Sequence, residues 1–364
     1  MSVFKSTYET NVFGVFSVTK TMLPLLRNSS AGRIVNLSNA LGSLTLNSDC
    51  THVQRNGIGT TNEFSAYDDS YIPSLKKLAD AIKSGGAPAI LQIFHAGDKA
   101  AAALIPDGDV VSPSGVYDRV SADAPSPREL SDQEIMEIIH AFGETTRRAI
   151  EAGFDGIELH GAHGFLLQSF LSPYFNRRQD RWGGNLENRL RLPLAVVHEV
   201  KQTIDKQANR PFILGYRISP EEHQEDALRV EDTYAMIDRL IEENVDYVHF
   251  SLMDAHAANP RYGNKDNKTF LELFVDYIHG QIPIIAAGSL ESPEDDSLAI
   301  HKGISMAAIG RALIMDPDWV QKVSEGREAE IQTVMKAAEL DKLAIPQKLW
   351  QFILSSGSFF KVEN

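Results

Sequence analysis

The chain has 364 residues and a formal net charge of −14, a length that allows one large domain or two ordinary ones. This acidic balance argues against a phosphate-binding surface, so we expect neither nucleic acid nor an anionic membrane as a partner. The single cysteine, Cys50, excludes an internal disulfide, a thiolate zinc site and an iron–sulfur cluster. No apolar run reaches the roughly 18 residues of a membrane span, and the charged first residues are not typical of a signal peptide. We therefore expect a cytoplasmic, acidic protein of the size of an enzyme.

Helical and strand patterns alternate from about residue 70 onward. Ser131, with Glu134 three residues later, forms a capping box that predicts the start of a helix ending at Gly153. The stretch 104–126 contains prolines at 106, 113 and 125 and predicts a long excursion loop. The other predicted helices cover 71–84, 185–206, 230–243, 268–279 and 294–302, and the predicted strands cover 88–94, 154–160, 211–219, 246–252, 283–289 and 306–313.

This alternation predicts an α/β fold with right-handed parallel βαβ units. An open doubly wound sheet and a closed (β/α)8 TIM-type barrel both fit the order of elements. Polar residues follow the strands all along the chain, and a barrel gathers every such strand end at one mouth. An open sheet would leave half of them far from any site. We therefore favour the barrel, and the polar residues concerned are Gln92, His95, His160, His163, Arg217, Ser251, Gly288, Ser289, Gly310 and Arg311.

His160 and His163 stand three residues apart directly after a predicted strand. They could cap the helix predicted at 165–171, or they could bind a metal. No carboxylate stands at ligand spacing and no HExxH motif occurs, which argues against the metal. A third interpretation is a pair of neutral donors aimed at an anionic or carbonyl oxygen. We favour it because several other donors are predicted at the same mouth.

Arg217 lies on an otherwise apolar strand and is the most informative single residue. It could pair with Glu158 on the neighbouring strand or bind an anionic ligand, and the two roles do not exclude each other. Glycines 288 and 310 close the last two strands, followed by Ser289 and Arg311. The loops after these two strands are the usual phosphate site of a TIM barrel.

Several longer segments resemble the old yellow enzyme family of flavin-dependent ene-reductases. The most specific is EAGFDGIELHGAHGFLLQSFLSPYFNRRQDRWGGNLENRLRL (151–192). ILQIFHAG (90–97), LGYRISPEE (214–222), IIAAGSLESPED (284–295) and AAIGRALIMDPDW (307–319) are similar in the same order. The resemblance covers the chain from about Cys50 to its end.

The resemblance implies FMN at the barrel mouth, with NADH or NADPH as reductant and no metal. Gln92 and Arg217 would bind the pyrimidine edge of the flavin. His160 and His163 would hold the carbonyl oxygen of an enone or enal substrate, which makes the β-carbon able to accept hydride. The residues implied for the flavin phosphate are Gly288, Ser289, Gly310 and Arg311. An alternative function is an impaired barrel that binds flavin weakly or not at all. The sequence does not settle whether the chain forms a homo-oligomer.

Two positions depart from the family pattern near this site. The family usually has a tyrosine two residues after the second histidine, which donates a proton to the α-carbon. Phe165 stands there and has no exchangeable proton, so either Tyr174 or water serves instead, or the proton step is slow. The family also often has arginine where Asp98 follows HAG, so a flavin or structural contact could be lost.

The first 49 residues are the largest departure. Residues 11–49 resemble the middle of a short-chain dehydrogenase, without its Tyr-x-x-x-Lys pair. We therefore predict two parts, an atypical segment 1–49 and a flavin-binding barrel domain 50–364, with the junction near Asp49 and Cys50. The helix at about 10–27 and the apolar strand 32–38 would replace the first sector of the barrel beside strands 88–94 and 306–310, because an unpaired strand edge and an exposed apolar interior are poorly tolerated.

Overall fold

A computed structural model describes residues 51–60, 63–83, 88–117, 126–263 and 267–337, together with 343, 345, 350–351, 353–354 and 360–363. Within these residues, eight strands form one sheet in which every neighbouring pair is parallel. Two further parallel pairs, β4 with β5 and β11 with β12, lie outside it. The sheet strands are β1 (Thr51–His52), β2 (Phe64–Ser65), β3 (Ile90–Phe94), β6 (Gly156–Gly161), β7 (Ile213–Ile218), β8 (Tyr247–Ser251), β9 (Ile284–Ala287) and β10 (Met306–Ala308), and the pairs are β4 (Val111–Ser112), β5 (Arg128–Glu129), β11 (Met335–Lys336) and β12 (Val362–Glu363).

Helices separate the sheet strands from β2 onward. Capping boxes at Ser131, Thr269 and Ser292 open three of them, as their Ser/Thr-x-x-Glu/Asp patterns favour. The helices within the described residues are α1 (Ile72–Lys83), α2 (Asp132–Glu151), α3 (Leu166–Leu171), α4 (Leu186–Gln207), α5 (Val230–Glu242), α6 (Phe270–Ile278), α7 (Pro293–His301), α8 (Arg311–Met315) and α9 (Trp319–Ser324). The predicted α/β fold is therefore confirmed.

The strand predicted at 306–313 is too long. The structure ends β10 at Ala308, and helix α8 begins at Arg311 with Gly310 as its N-cap. An apolar run of this length fits a buried strand and a buried helix equally well, so hydrophobicity alone could not separate them. The predicted excursion loop also carries β4 and short 3-10 turns.

The two faces of the sheet differ in chemistry because side chains alternate along each strand. The face toward the helices is apolar, as with Leu91 and Ile93 on β3 and Ile157 and Leu159 on β6, and it joins the main hydrophobic core. The opposite face carries the polar residues of the strands. This second face positions the site described below.

The strand predicted at 32–38 and the boundary at residue 49 lie outside the described residues. Both neighbours of β3 are described and are β1 and β6. The predicted place beside strand 88–94 is therefore taken, and the edges of the described sheet are β2 and β10. No helix of the described part of the chain combines the length and the apolar character needed to cross a membrane.

Candidate active site

Strand register brings the predicted polar residues together on one face. Gln92 is level with Glu158, His160 is level with Arg217, and Arg217 is level with His249. All five side chains are buried, and their residues are at most 1% exposed. They occupy alternate positions of β3, β6, β7 and β8, so they share the sheet face turned away from the helices.

Glu158 is the centre of a buried polar network. Its Oε1 accepts a hydrogen bond from the Gln92 amide, and its Oε2 lies 3.1 Å from Nδ1 of His249. An ionised carboxylate in the interior needs such donors, because desolvation would otherwise be very unfavourable. The network therefore holds Gln92 and His249 in fixed positions beside Arg217.

Ser251, at the end of β8, connects Arg217 to the histidine pair. Its Oγ lies 3.0 Å from Nη2 of Arg217 and 2.6 Å from Nε2 of His163. Arginine can only donate, so the hydroxyl accepts from Arg217. In the contact with Nε2 of His163 either group can be the donor, because a hydroxyl has one proton and two acceptor lone pairs. The hydrogen bond from the Ala162 backbone N–H to Nδ1 of His160 leaves the proton of that neutral ring on Nε2.

Both imidazoles are neutral at ordinary pH. Burial lowers the pKa of His160 well below its usual range, and the charges of His163 and Arg217 act in the same direction. Desolvation by the surrounding residues lowers the pKa of His163 to about 3 although its ring opens toward solvent, and Arg217 again contributes. The two ring centroids are 4.9 Å apart. The arrangement thus presents two neutral N–H donors at one mouth.

The structure does not favour the two other interpretations of the histidine pair. The N-cap of α3 is Phe165, and no side chain caps that helix. Within the described residues, no group of three or more His, Cys, Asp or Glu side chains is arranged to hold a metal ion. His163 has a positive φ of 60°, a conformation that costs energy in a non-glycine residue and is often found at functional sites.

Phe165 packs into an aromatic cluster beside the histidines. Its ring centroid is 4.8 Å from that of His160 and 4.8 Å from that of Phe94, both in edge-on arrangements. The position at which the family usually has the proton-donating tyrosine is therefore part of the apolar wall of the site.

Backbone shape at the end of β9 depends on Gly288. Its φ is +151°, and a Cβ there would lie 2.7 Å from the carbonyl oxygen of Leu252, so no other residue fits without a shift. Ser289 follows with φ 50°, and its hydroxyl donates to the carbonyl of Met253 at 3.0 Å.

Gly310 and Arg311 follow β10, the neighbour of β9. No atom of the described residues would come within 4 Å of a Cβ at Gly310, so among them there is room at its backbone for an approaching group. Arg311 is ion-paired with Glu291, a partner that the sequence analysis did not foresee.

These residues fit a flavin at the mouth. Nε2 of His249 is buried and makes no hydrogen bond within the described part of the chain, and it lies on the strand beside Arg217. The open space at Gly310 is a place for a phosphate. The buried Arg217 is a donor for an electron-rich edge of the flavin ring. Arg217 and Gln92 are held by neighbours and so arranged before any ligand binds.

His249 was missed by the sequence analysis, as was the bridging role of Ser251. The signal was present, because Tyr247, His249 and Ser251 alternate along a strand whose other positions are apolar. A polar residue on the inner face of a buried strand points to the interior of the barrel.

Comparison with known proteins gives a family and a fold. The NADH:flavin oxidoreductase / NADH oxidase family matches residues 38–330. A probable NADH-dependent flavin oxidoreductase, YqiG, of Bacillus subtilis (strain 168) is 44% identical over 307 residues, which are 84% of this chain and 82% of that protein. The NADH:fumarate oxidoreductase of Klebsiella pneumoniae (strain 342) is 36% identical over 312 residues, 84% of this chain but only 33% of that longer protein.

Among solved structures, morphinone reductase in complex with tetrahydroNAD is similar, with a TM-score of 0.66 at 22% identity over 87% of this chain and 82% of that one. This likeness identifies the fold as the TIM barrel predicted from the sequence. The alternative of an impaired barrel finds no support in these similarities. The chain therefore belongs to the NADH:flavin oxidoreductase / NADH oxidase family, which is the old yellow enzyme family, and is an NAD(P)H-dependent oxidoreductase that uses FMN.

Proposed function

We propose that the enzyme reduces the carbon–carbon double bond of α,β-unsaturated carbonyl compounds, with hydride delivered to the β-carbon. The observation that carries this proposal is the pair of neutral imidazole donors, His160 and His163, 4.9 Å apart at the mouth. Two donors on one oxygen draw electron density away from the double bond and stabilise the negative charge that develops on that oxygen.

The other residues of the mouth would hold the cofactor. When bound, FMN supplies hydride transfer between the nicotinamide and the substrate. Gln92 and Arg217 would hydrogen-bond the pyrimidine edge, where the charge of Arg217 stabilises the anionic reduced flavin. The phosphate would bind at Gly288, Ser289, Gly310 and Arg311, which gives Glu291 the role of orienting Arg311.

The mouth needs a proton source besides Phe165. Tyr174 is half-buried and close in sequence, and water is the other candidate. We also propose a cytoplasmic location, on the strength of the acidic charge and the single cysteine.

The direct experiment supplies NADH or NADPH with deuterium at the transferred position and 2-cyclohexenone as acceptor. We expect cyclohexanone with deuterium at C3, the former β-carbon, detected by NMR. Cyclohexene, which lacks the carbonyl, is the matched control and should not be reduced. Oxidation of the nicotinamide without any saturated ketone would contradict the proposal.

A second arm tests the histidines. His160→Ala and His163→Ala should each lower kcat/KM for 2-cyclohexenone by about 10²- to 10³-fold, the usual effect of losing one donor to a developing oxyanion. Reduction of the bound flavin by the nicotinamide should change far less. Equal loss in both half-reactions would show that the histidines only support the fold.

A further inference from the structure

Lys99 lies at the barrel mouth directly beside the histidine pair. Its Nζ would be 2.7 Å from a Cβ on Gly164, the residue between His163 and Phe165. Gly164 has φ +71°. Glycine is needed here because it allows this backbone conformation and because a Cβ would collide with the Lys99 ammonium. The charge of Lys99 also contributes to the lowered pKa of His163. The ammonium thus lies next to Gly164 and close enough to His163 to act on its ring.

This ammonium makes no hydrogen bond with any residue that the structure describes. It forms an ion pair with the buried carboxylate of the neighbouring Asp98, whose Oδ2 is 3.6 Å away; this is longer than a hydrogen bond, so the pair does not occupy the ammonium's donors. It also lies 5.4 Å from the ring centroid of Phe175, which gives a cation–π contact. The Lys99 side chain is only 28% exposed. A half-buried ammonium has three donors and therefore favours an anionic acceptor.

The other carboxylate nearby is already saturated. Glu222 is close enough for Lys99 to lower its pKa, against the larger effect of burial, which raises it. Its two oxygens accept from Ser172 at 2.5 Å, from Gln168 at 2.7 Å and from the backbone N–H of Leu228 at 3.2 Å. The hydrogen bonds of Glu222 therefore come from groups other than Lys99.

We propose that Lys99 binds a carboxylate of the substrate, so that the preferred substrates are α,β-unsaturated carbonyl compounds that also carry a carboxylate. This inference rests on the function proposed above. The neutral histidines hold the carbonyl oxygen, and Lys99 supplies the positive charge that they lack. A charge-assisted hydrogen bond in a half-buried place contributes about tenfold or more to binding.

The test compares two acceptors that share one enone, (E)-4-oxo-2-pentenoate and its methyl ester. Lys99→Met should raise KM for the carboxylate at least about tenfold more than KM for the ester, relative to the wild-type enzyme. Lys99→Arg, which keeps the charge, should restore most of the preference. Lys83→Met is the control, because Lys83 is also half-buried but pairs with Asp155 at the opposite end of the strands. An equal effect on both acceptors, or none on either, would overturn the proposal.

A binding measurement separates this inference from the proposed function. Titration calorimetry with 4-oxopentanoate and its methyl ester, the saturated counterparts, needs no turnover. We expect the wild-type enzyme to bind the carboxylate about tenfold more tightly than the ester, and Lys99→Met to lose that difference. If neither enone is reduced but the difference is present, the proposed function fails while Lys99 remains an anion site. If both enones are reduced and the difference is absent, only the inference about Lys99 fails.

Discussion

Arg217 shows what a single residue contributes at this mouth. It is buried to 1% exposure on β7, and it donates to Ser251, which in turn bonds to His163. The sequence left two roles open, a carboxylate partner or an anionic ligand. The structure adds the hydroxyl bridge, which couples the flavin end of the proposed site to the histidine end.

The first prediction concerns FMN binding. Arg217→Ala and Arg311→Ala should each weaken FMN binding by roughly ten- to a hundredfold, because each removes a charge-assisted contact worth ~1.5–3 kcal/mol. Quenching of flavin fluorescence at sub-saturating FMN measures the dissociation constant. Arg128→Ala is the control, because Arg128 pairs with Asp109 and Glu134 away from the strands of the site. Unchanged affinity in both test variants, with circular dichroism showing a folded chain, would contradict the assignment.

The second prediction concerns the proton. Phe165→Tyr should speed reoxidation of the reduced flavin by an enone, because a positioned acid typically contributes ~10²–10⁴-fold. Reduction by the nicotinamide should keep its rate, which stopped-flow absorbance measures separately. Tyr174→Phe is the companion variant. If it slows reoxidation while Phe165→Tyr brings no gain, Tyr174 already supplies the proton.

The third prediction concerns pH and His95, which follows β3. Burial lowers the pKa of His95 from its usual value of about 6.5 to about 3. The unfolded chain therefore binds this proton more readily than the folded chain between these two values. The contribution of the neutral His95 to the free energy of unfolding is fully present above about pH 6.5. It is lost as the pH falls toward 3, by up to about 1.4 kcal/mol per pH unit.

Urea unfolding at pH 7.5, 5.5 and 4.5 measures this loss. The Nδ1 of His95 accepts from the Gly97 backbone N–H and Nε2 faces Asn56, and glutamine keeps polar atoms there without an imidazole to protonate. His95→Gln should therefore show a shallower fall in the free energy of unfolding than the wild-type enzyme. His140→Gln removes an imidazole whose side chain is 71% exposed and is the control. The same fall in all three proteins would contradict the linkage.

At the scale of elements, the sequence predicts those helices and strands that are marked by hydrophobic periodicity and by capping residues. Ser131 and Glu134 predict the start of α2 correctly, because a capping box satisfies specific backbone groups at that end. The end of β10 was misplaced, because the apolar residues up to Leu313 are compatible with a strand or a helix, whereas the strand ends at Ala308 and Gly310 caps the helix that follows. His249 was missed because the strand was judged by its overall apolar character and not by the residues that alternate on its inner face.

The fourth prediction concerns the strand expected at residues 32–38. If it completes the barrel beside β10, its backbone amides are hydrogen-bonded and should exchange with solvent as slowly as those of Met306–Ala308. Hydrogen–deuterium exchange followed by mass spectrometry measures both segments in one experiment. Exchange of 32–38 within seconds, with β10 protected, would show that this segment is not part of the sheet. The loop expected after residue 38 does not resemble the one that contacts the flavin in the family. We therefore expect FMN to bind less tightly than the family motifs from residue 90 onward suggest.

At the scale of the whole molecule, the order of elements fitted both an open sheet and a barrel, and the polar residues after the strands favoured the barrel. Polar residues at the carboxyl ends of successive strands have a common location only if the sheet curves to bring them together. The resemblance in residues 151–192 then points to flavin chemistry, which the spacing of residues alone could not name. The pairing of Arg311 with Glu291 and the position of Lys99 required coordinates, because both depend on contacts between distant loops.

The central claim is that this barrel mouth binds FMN and passes hydride from a nicotinamide to an activated alkene. The most direct measurement is the visible spectrum of the purified protein, first reduced anaerobically with one equivalent of NADH or NADPH and then mixed with 2-cyclohexenone. We predict flavin absorbance that bleaches on reduction and returns on addition of the enone, with the released cofactor identified as FMN. A protein that takes up no FMN when it is supplied in excess, or a reduced flavin that the enone fails to reoxidise, would contradict the claim.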